Sequence, residues 1–395
     1  MPAVYLDHAA TTALLPAART ALLEQLEQLG NPSAINSAGR AARRVVEESR
    51  ERIAAALGAL PSEVIFTSGG TESDNLAIKG TYAARLAADP ARRRLVVGGA
   101  EHHAILDPVE FLVETQGASA SFAEPDAIGV IGAESLRRAL GPDPGDVALV
   151  SVMWANNEVG AISPIAELSG VAHEFGIPMH SDAVQAVGHV PVDFARSGVD
   201  LMSVTGHKLG GPVGRGALLA RRDAVLVPQL HGGGQERQVR SGTLDAPGIA
   251  AFAAAVESAV AMMQDESARL IALRDNLIER ALGLGLGISV SGAWTPGSDA
   301  DRLPGNVHLR IPGTDGDSLL FLLDAAGISC ATGSACTAGV PRASHVLLAM
   351  GIEPDEARGA IRLTMGHTTT QADVEAVLTA LPDAVARARR ARGAA

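Results

Sequence analysis

The sequence predicts an α/β fold, a mostly parallel sheet covered by helices, with a smaller α+β domain beside it. Three observations carry this. Between about residues 17 and 265, helical patterns alternate with short apolar runs, as they do when crossover helices join parallel strands. Runs such as RLVVG (94–98) and DVALVSVMW (146–154) are apolar at successive positions, which suits strands buried on both faces. Beyond about 265 the alternation gives way to a long helical stretch (266–283) and then a mixture of strands and helices. The expected division is a large domain over 13–265 and a small one from 1–12 and 266–395.

In chain order, SAGRAARRVVEESRERIAAALG (37–58) reads as an amphipathic helix. Ser37 is its expected N-cap, Val45, Val46, Ile53 and Leu57 recur at helical spacing, and Gly58 ends it. EVIFTSGG (63–70) is a short strand running into glycines. SPIAELSGVAHEFG (163–176) is a helix with Ser163 as N-cap, Pro164 at its first position and Gly176 just past its end. IPMHS (177–181), VDLMSV (199–204) and GALLA (216–220) follow as strands. After residue 283, LGLGISVSG, NVHLRI, SLLFLLDAAG and IRLTMG supply the α+β elements. The basic tail ARARRARG (386–393) reads as the solvated end of a terminal helix.

At 395 residues, 47% hydrophobic and 19% charged, the chain has the composition of a globular enzyme. Its net charge of −12 argues against a nucleic-acid or acidic-membrane binder. The two cysteines, Cys330 and Cys336, make no disulfide framework. MPAVYLDHAATT has neither the basic nor the apolar region of a signal peptide. No run approaches the roughly 20 apolar residues of a membrane span. The cytoplasm is the expected compartment.

Chemistry concentrates where strands end, the usual place for ligands in such sheets. In TSGGTESDN (67–75), Gly69 and Gly70 allow close backbone approach, and the amides of Gly70 and Thr71 open a helix, a natural anion site. Alone, this stretch could be an ordinary Gly-rich turn. Asp182 follows an apolar strand, where a carboxylate needs a cationic partner or serves as a cap. A pyridinium nitrogen is one such partner. Lys208, in VTGHKLGGP (204–212), ends another apolar run, and a partly desolvated amine there is a nucleophile toward carbonyls. Gly206, Gly210 and Gly211 are expected to clear space for a flat ring, and Thr205 and His207 to reach a phosphate. Phosphate cradle, buried Asp and Schiff-base Lys together describe a pyridoxal-phosphate site.

With these residues in view, the chain resembles the cysteine desulfurases of the class V aminotransferase group, fold-type I pyridoxal-phosphate enzymes. The resemblance runs through YLDHAATT (5–12), GNPSA (30–34), VIFTSGGTESDNLAIKG (64–80), EHHAILD (101–107), NNEVG (156–160), SDAVQAVG (181–188), DLMSVTGHKLGGPVGRGAL (200–218), HGGGQERQVRSGTL (231–244), GSACTAG (333–339) and IRLTMGHTTT (361–370). The stretch from Cys336 to SHVLLAMG (344–351) is similar to the group I branch, which serves iron–sulfur assembly and tRNA thiolation.

The resemblance implies roles residue by residue. Lys208 would hold the cofactor as a Schiff base, Asp182 would pair with the ring nitrogen, and His102 rather than His103 would stack on the ring and transfer protons. Asn157 and Gln185 would bond the ring hydroxyl oxygen, while Gly70, Thr71, Thr205 and His207 would hold the phosphate. Thr243 would reach the phosphate of a neighbouring subunit, making a homodimer. Arg362, with Asn157, would bind the substrate carboxylate. Cys336, among small residues in ISCATGSACTAGVPRAS (328–344), would take sulfur from L-cysteine as a persulfide, releasing L-alanine. It would pass the sulfur to an iron–sulfur scaffold or a tRNA-thiolation enzyme, and a transient iron–sulfur cluster on Cys336 is a weaker implication. Selenocysteine lysis and transamination are the rival reactions within the family. Cys330 reads as a small residue closing a strand. In NPSAINSAG (31–39), Asn36 stands where the family commonly has His.

Overall fold

The computed structural model describes residues 4–333 and 343–393. Its strands are β1 (Val4–Tyr5), β2 (Val64–Thr67), β3 (Arg94–Gly98), β4 (Ser119–Ala123), β5 (Val147–Ser151) and β6 (Met179–Asp182). They continue with β7 (Leu201–Thr205), β8 (Gly216–Ala220), β9 (Ser289–Val290), β10 (Asn306–Arg310), β11 (Ile328–Ser329) and β12 (Ala360–Thr364). Seven of them form a central sheet in the order β2-β8-β7-β6-β5-β3-β4. The pairs from β7 through β4 are parallel, and β8 alone runs against both its neighbours. The predicted α/β class is the observed one. The reversal at β8 follows from chain length: the segment 206–215 is too short for the crossover a parallel neighbour requires.

Helices cover both faces, and β3 shows how the strands serve them. Val96 points into a core shared with Val46, Ile53 and Leu57 of the helix Ser37–Leu57 and with Leu168 of the helix Ile165–His173. Leu95 and Val97 point the other way, against Ile78 and Tyr82 of the helix Gly70–Ala88 and Leu112 of the helix His103–Gln116. The period of two in a strand makes this division.

The remaining strands form a three-stranded antiparallel sheet, β12-β10-β9, and a parallel pair, β1-β11. Their core gathers Leu6, Leu309, Leu363, Val377 and Leu381. One continuous helix, Ala246–Leu282, reaches both cores: Phe252 and Val256 lie in the first, Leu273 and Leu277 in the second. The helix begins twenty residues before the predicted stretch; its alanine-rich first half lacks polar contrast. By length and composition it could also cross a bilayer, contrary to the expectation that no segment could. Residues Gly248 to Val256 are all buried within the protein.

Two caps differ from expectation. Asn36, not Ser37, caps the first long helix, its Oδ1 accepting the Gly39 N–H at 2.8 Å. Pro164, not Ser163, stands at the cap of Ile165–His173, while the Ser163 hydroxyl accepts from the Ile131 amide.

Candidate active site

The carboxyl ends of β2, β3, β6 and β7 open into one cavity of about 620 Å³. Its walls include Gly70, Thr71, His102, Asn157, Asp182, Gln185, Thr205, His207, Lys208 and Arg362. Ten of the residues singled out in the sequence therefore meet in one place. Thr243 does not: it is exposed and lies outside the cavity. Cys336 lies outside the described residues, as does any cluster it would ligate. Among the described residues no group of three His, Cys, Asp or Glu side chains is placed to hold a metal.

At one end, Gly69 adopts φ +147° and turns the chain from β2 into the helix Gly70–Ala88. That conformation favours glycine. A Cβ on Gly70 would come within 2.8 Å of the Val184 Cγ2 atom, so the backbone reaches the cavity only without a side chain. The first amides of a helix have no intrahelical acceptor, and they attract anions.

In the middle, Lys208 Nζ donates to the carbonyls of Ala9 and Ala10, the latter at 2.9 Å. Burial, then the nearby Arg362 guanidinium, lowers its pKa to about 8, against the opposing pull of Asp7 and Asp182. The glycines around it act otherwise than expected. Gly206, Gly210 and Gly211 are not part of the cavity wall. The Gly211 amide donates to the Gly206 carbonyl at 2.8 Å, and a Cβ on Gly210 would strike the Leu15 side chain. They make the turn compact rather than make room for a ring.

Asp182 ends β6, and its Oδ1 accepts the Val184 amide at 2.9 Å. Burial raises its pKa to about 6, the Val184 amide and Lys208 opposing. His102 caps the helix His103–Gln116, its Nδ1 accepting from the Ala104 amide at 3.0 Å. That bond assigns the ring proton to Nε2. Burial first, then Lys208, lowers its pKa to about 4, so the ring is neutral. His103 instead pairs with Asp107 on the surface. Asn156 is fully engaged with backbone groups of Ala100, Glu158 and Val159, leaving Asn157 at the cavity. Gln185 donates to the Ala9 carbonyl at 2.9 Å.

At the far end, Arg362 on β12 donates through Nη2 to Asp7 at 2.8 Å and through Nη1 to the Asn157 carbonyl at 2.9 Å. Asp7 received no role from the sequence, although YLDHAATT contains it. The signal was an acid at the end of an apolar N-terminal stretch, where only a basic partner justifies it. Cys330, just after β11, also lines the cavity, and burial pushes its thiol up to about 12. A thiol so held is a poor nucleophile.

Anion cradle, amine and buried carboxyl at the ends of a largely parallel sheet define a pyridoxal-phosphate-dependent enzyme. The comparisons agree. The family model for aminotransferase class V matches residues 4–377. An IscS-like cysteine desulfurase of Mycobacterium tuberculosis is 57% identical over 391 residues, 99% of this chain and 98% of that protein. A cysteine desulfurase IscS of Dictyoglomus turgidum is 41% identical, covering 98% and 95%. A solved NifS-like protein superposes with a TM-score of 0.88 at 31% identity, covering 98% of this chain and all of the other. The chain belongs to the class V aminotransferase family and, within it, to the cysteine desulfurases, for which pyridoxal phosphate is the implied cofactor.

Proposed function

We propose that the protein takes sulfur from L-cysteine onto Cys336 and releases L-alanine, with pyridoxal phosphate held on Lys208. The convergence of Lys208, Asp182, His102 and the Gly70–Thr71 cradle on one cavity carries this reading. The donor set fits the cofactor: helix amides for its phosphate, a buried carboxyl for its ring nitrogen, and an amine of lowered pKa for its aldehyde. When bound, the cofactor draws electrons from the substrate Cα through its protonated ring. Asp182 keeps that ring nitrogen charged, and Thr205 and His207 complete the phosphate site. Arg362 and Asn157 orient the substrate carboxylate. Lys208 Nζ moves the Cα proton, and His102 Nε2 shuttles a proton beside it. The Cys336 thiolate attacks the substrate sulfur. The carbon–sulfur bond breaks as the sulfur–sulfur bond forms, and the carbon takes up a proton to give alanine.

Thr243 completes the phosphate site of a second copy in a homodimer, and sulfur-acceptor proteins of iron–sulfur assembly or tRNA thiolation take the persulfide in the cytoplasm. With a large domain over 13–265 and a small one from 1–12 and 266–395, the substrate clamp is shared, Arg362 coming from the small domain and Asn157, like the amine, from the large one. Changing Cys336→Ser tests the reading: the variant should bind the cofactor and form no alanine from cysteine. Undiminished alanine formation would remove Cys336 from the reaction, and a protein that never takes up the cofactor would remove the reading altogether.

A further inference from the structure

Behind Asp182 lie two more acids that the reaction does not use. Asp74, on the helix Gly70–Ala88, is 1% exposed and lines the same cavity; Glu101, after β3, is fully buried. No Lys or Arg pairs with either among the described residues. One Glu101 oxygen accepts the Met153 amide at 2.6 Å, while Glu101 Oε2 and Asp74 Oδ1 have no hydrogen-bond partner. Asp74 faces His180 and Ser203: His180 Nε2 is 3.6 Å from Asp74 Oδ1 and 3.0 Å from Ser203 Oγ, and His180 Nδ1 meets Ser151 Oγ at 2.9 Å. Burial keeps His180 neutral, so it supplies no countercharge. Asp182 and Glu101 are the acidic neighbours of Asp74, and Lys208 is the cation facing Asp182.

An unpartnered carboxylate oxygen in such a place is costly, and adjacent buried carboxyls do not all ionise. We propose that Asp74 is a positioning residue for the cofactor's ring: it carries a proton through neutral pH and so confines the negative charge to Asp182. The inference rests on the cofactor reading above. In that arrangement the site offers one anion to one ring cation, and Asp74 meets Ser203 and His180 as a neutral acid. Burial and the charge of Asp182 both push Asp74 in this direction.

Infrared difference spectroscopy of the holoenzyme reads the proton directly. Asp74→Asn should remove a protonated-carboxyl band that wild type shows at neutral pH, and Glu101→Gln should remove a separate one. Should Asp74→Asn fail to fold, carbon-13 labelling of all aspartates in wild type serves instead: the Asp74 band should shift and that of Glu101 should stay. The folded state holds this proton where the unfolded chain has lost it. Relative to Asp74→Asn, wild type should therefore lose stability as pH rises toward neutrality. Superposable spectra, or no band that shifts on labelling, would overturn the proposal and leave the cofactor reading standing. If wild-type protein took up no pyridoxal phosphate, the cofactor reading would fail instead.

Discussion

Changing Asp7→Asn separates substrate orientation from chemistry. The Asp7 carboxylate accepts from Arg362 Nη2 at 2.8 Å, with the two side chains 21% and 7% exposed. Asn keeps an acceptor of the same shape and loses the charge. A hydrogen bond to a charged group contributes about 1.5–3 kcal/mol and a neutral one about 0.5–1.5, so the loss is on the order of 1–1.5 kcal/mol. Arg362 keeps its bond to the Asn157 carbonyl, so the guanidinium loosens rather than leaves. If its orientation fixes the substrate carboxylate, that energy appears in KM as a rise of about five- to tenfold. The value of kcat should change far less, because the contact acts on ground state and transition state alike. Asp7→Ala removes the acceptor altogether and should cost about 1.5–3 kcal/mol of folding stability, the contribution of a hydrogen bond to a charged group. The assay is alanine formation against cysteine concentration, with urea unfolding of the same proteins. A KM unchanged in both variants would refute the reasoning. So would a lowered KM, which would mean that Asp7 competes with the substrate for Arg362.

Two further predictions concern groups on either side of this contact. With the cofactor removed, Lys208 has a pKa near 8, below its ordinary 10.5, so the folded protein binds fewer protons than the unfolded chain between those values. Stability of the cofactor-free protein should rise with pH across that window relative to Lys208→Met, and thermal melts over the range would read it; parallel curves would mean an ordinary amine. Asn36→Ala removes the cap on the Gly39 amide and should destabilise the protein by about 1 kcal/mol in urea unfolding. An unchanged midpoint would show that the cap contributes nothing.

Much of the sheet was legible because buried parallel strands are written as unbroken apolar runs. RLVVG and GALLA begin and end where β3 and β8 do. The direction of β8 was not legible from its own residues, only from the short segment before it. The site was legible for a related reason: Asp182 and Lys208 are charged residues at the ends of apolar runs, and such residues need a chemical reason to be there. Gly206, Gly210 and Gly211 misled because glycine serves tight turns and ligand clearance equally well. Asp74 and Glu101 escaped notice because on a helix and in a loop an acid reads as a solvated residue. Their burial comes from tertiary packing that no local pattern records. Asn36 was flagged only as a departure from a family pattern, whereas its work here is to cap a helix, which a residue one place before the expected cap can do equally well.

The N-terminal segment ties these observations together. β1 pairs with β11, Leu6 fills the core beneath β10 and β12, and the Ala9 amide donates to Thr364 Oγ1 at 2.9 Å. Three residues or fewer further on, the same stretch gives its Ala9 and Ala10 carbonyls to Lys208 and the Thr12 amide to the His207 carbonyl. Asp7 sits between, holding Arg362. The separation of the guanidinium from the amine is thus set by a few peptide units anchored at both ends. A peptide is far stiffer along such a path than two surfaces that merely touch. In the proposed reaction the substrate carboxylate and Cα meet these two groups at once, so a short, hydrogen-bonded bridge between them would supply orientation before substrate arrives.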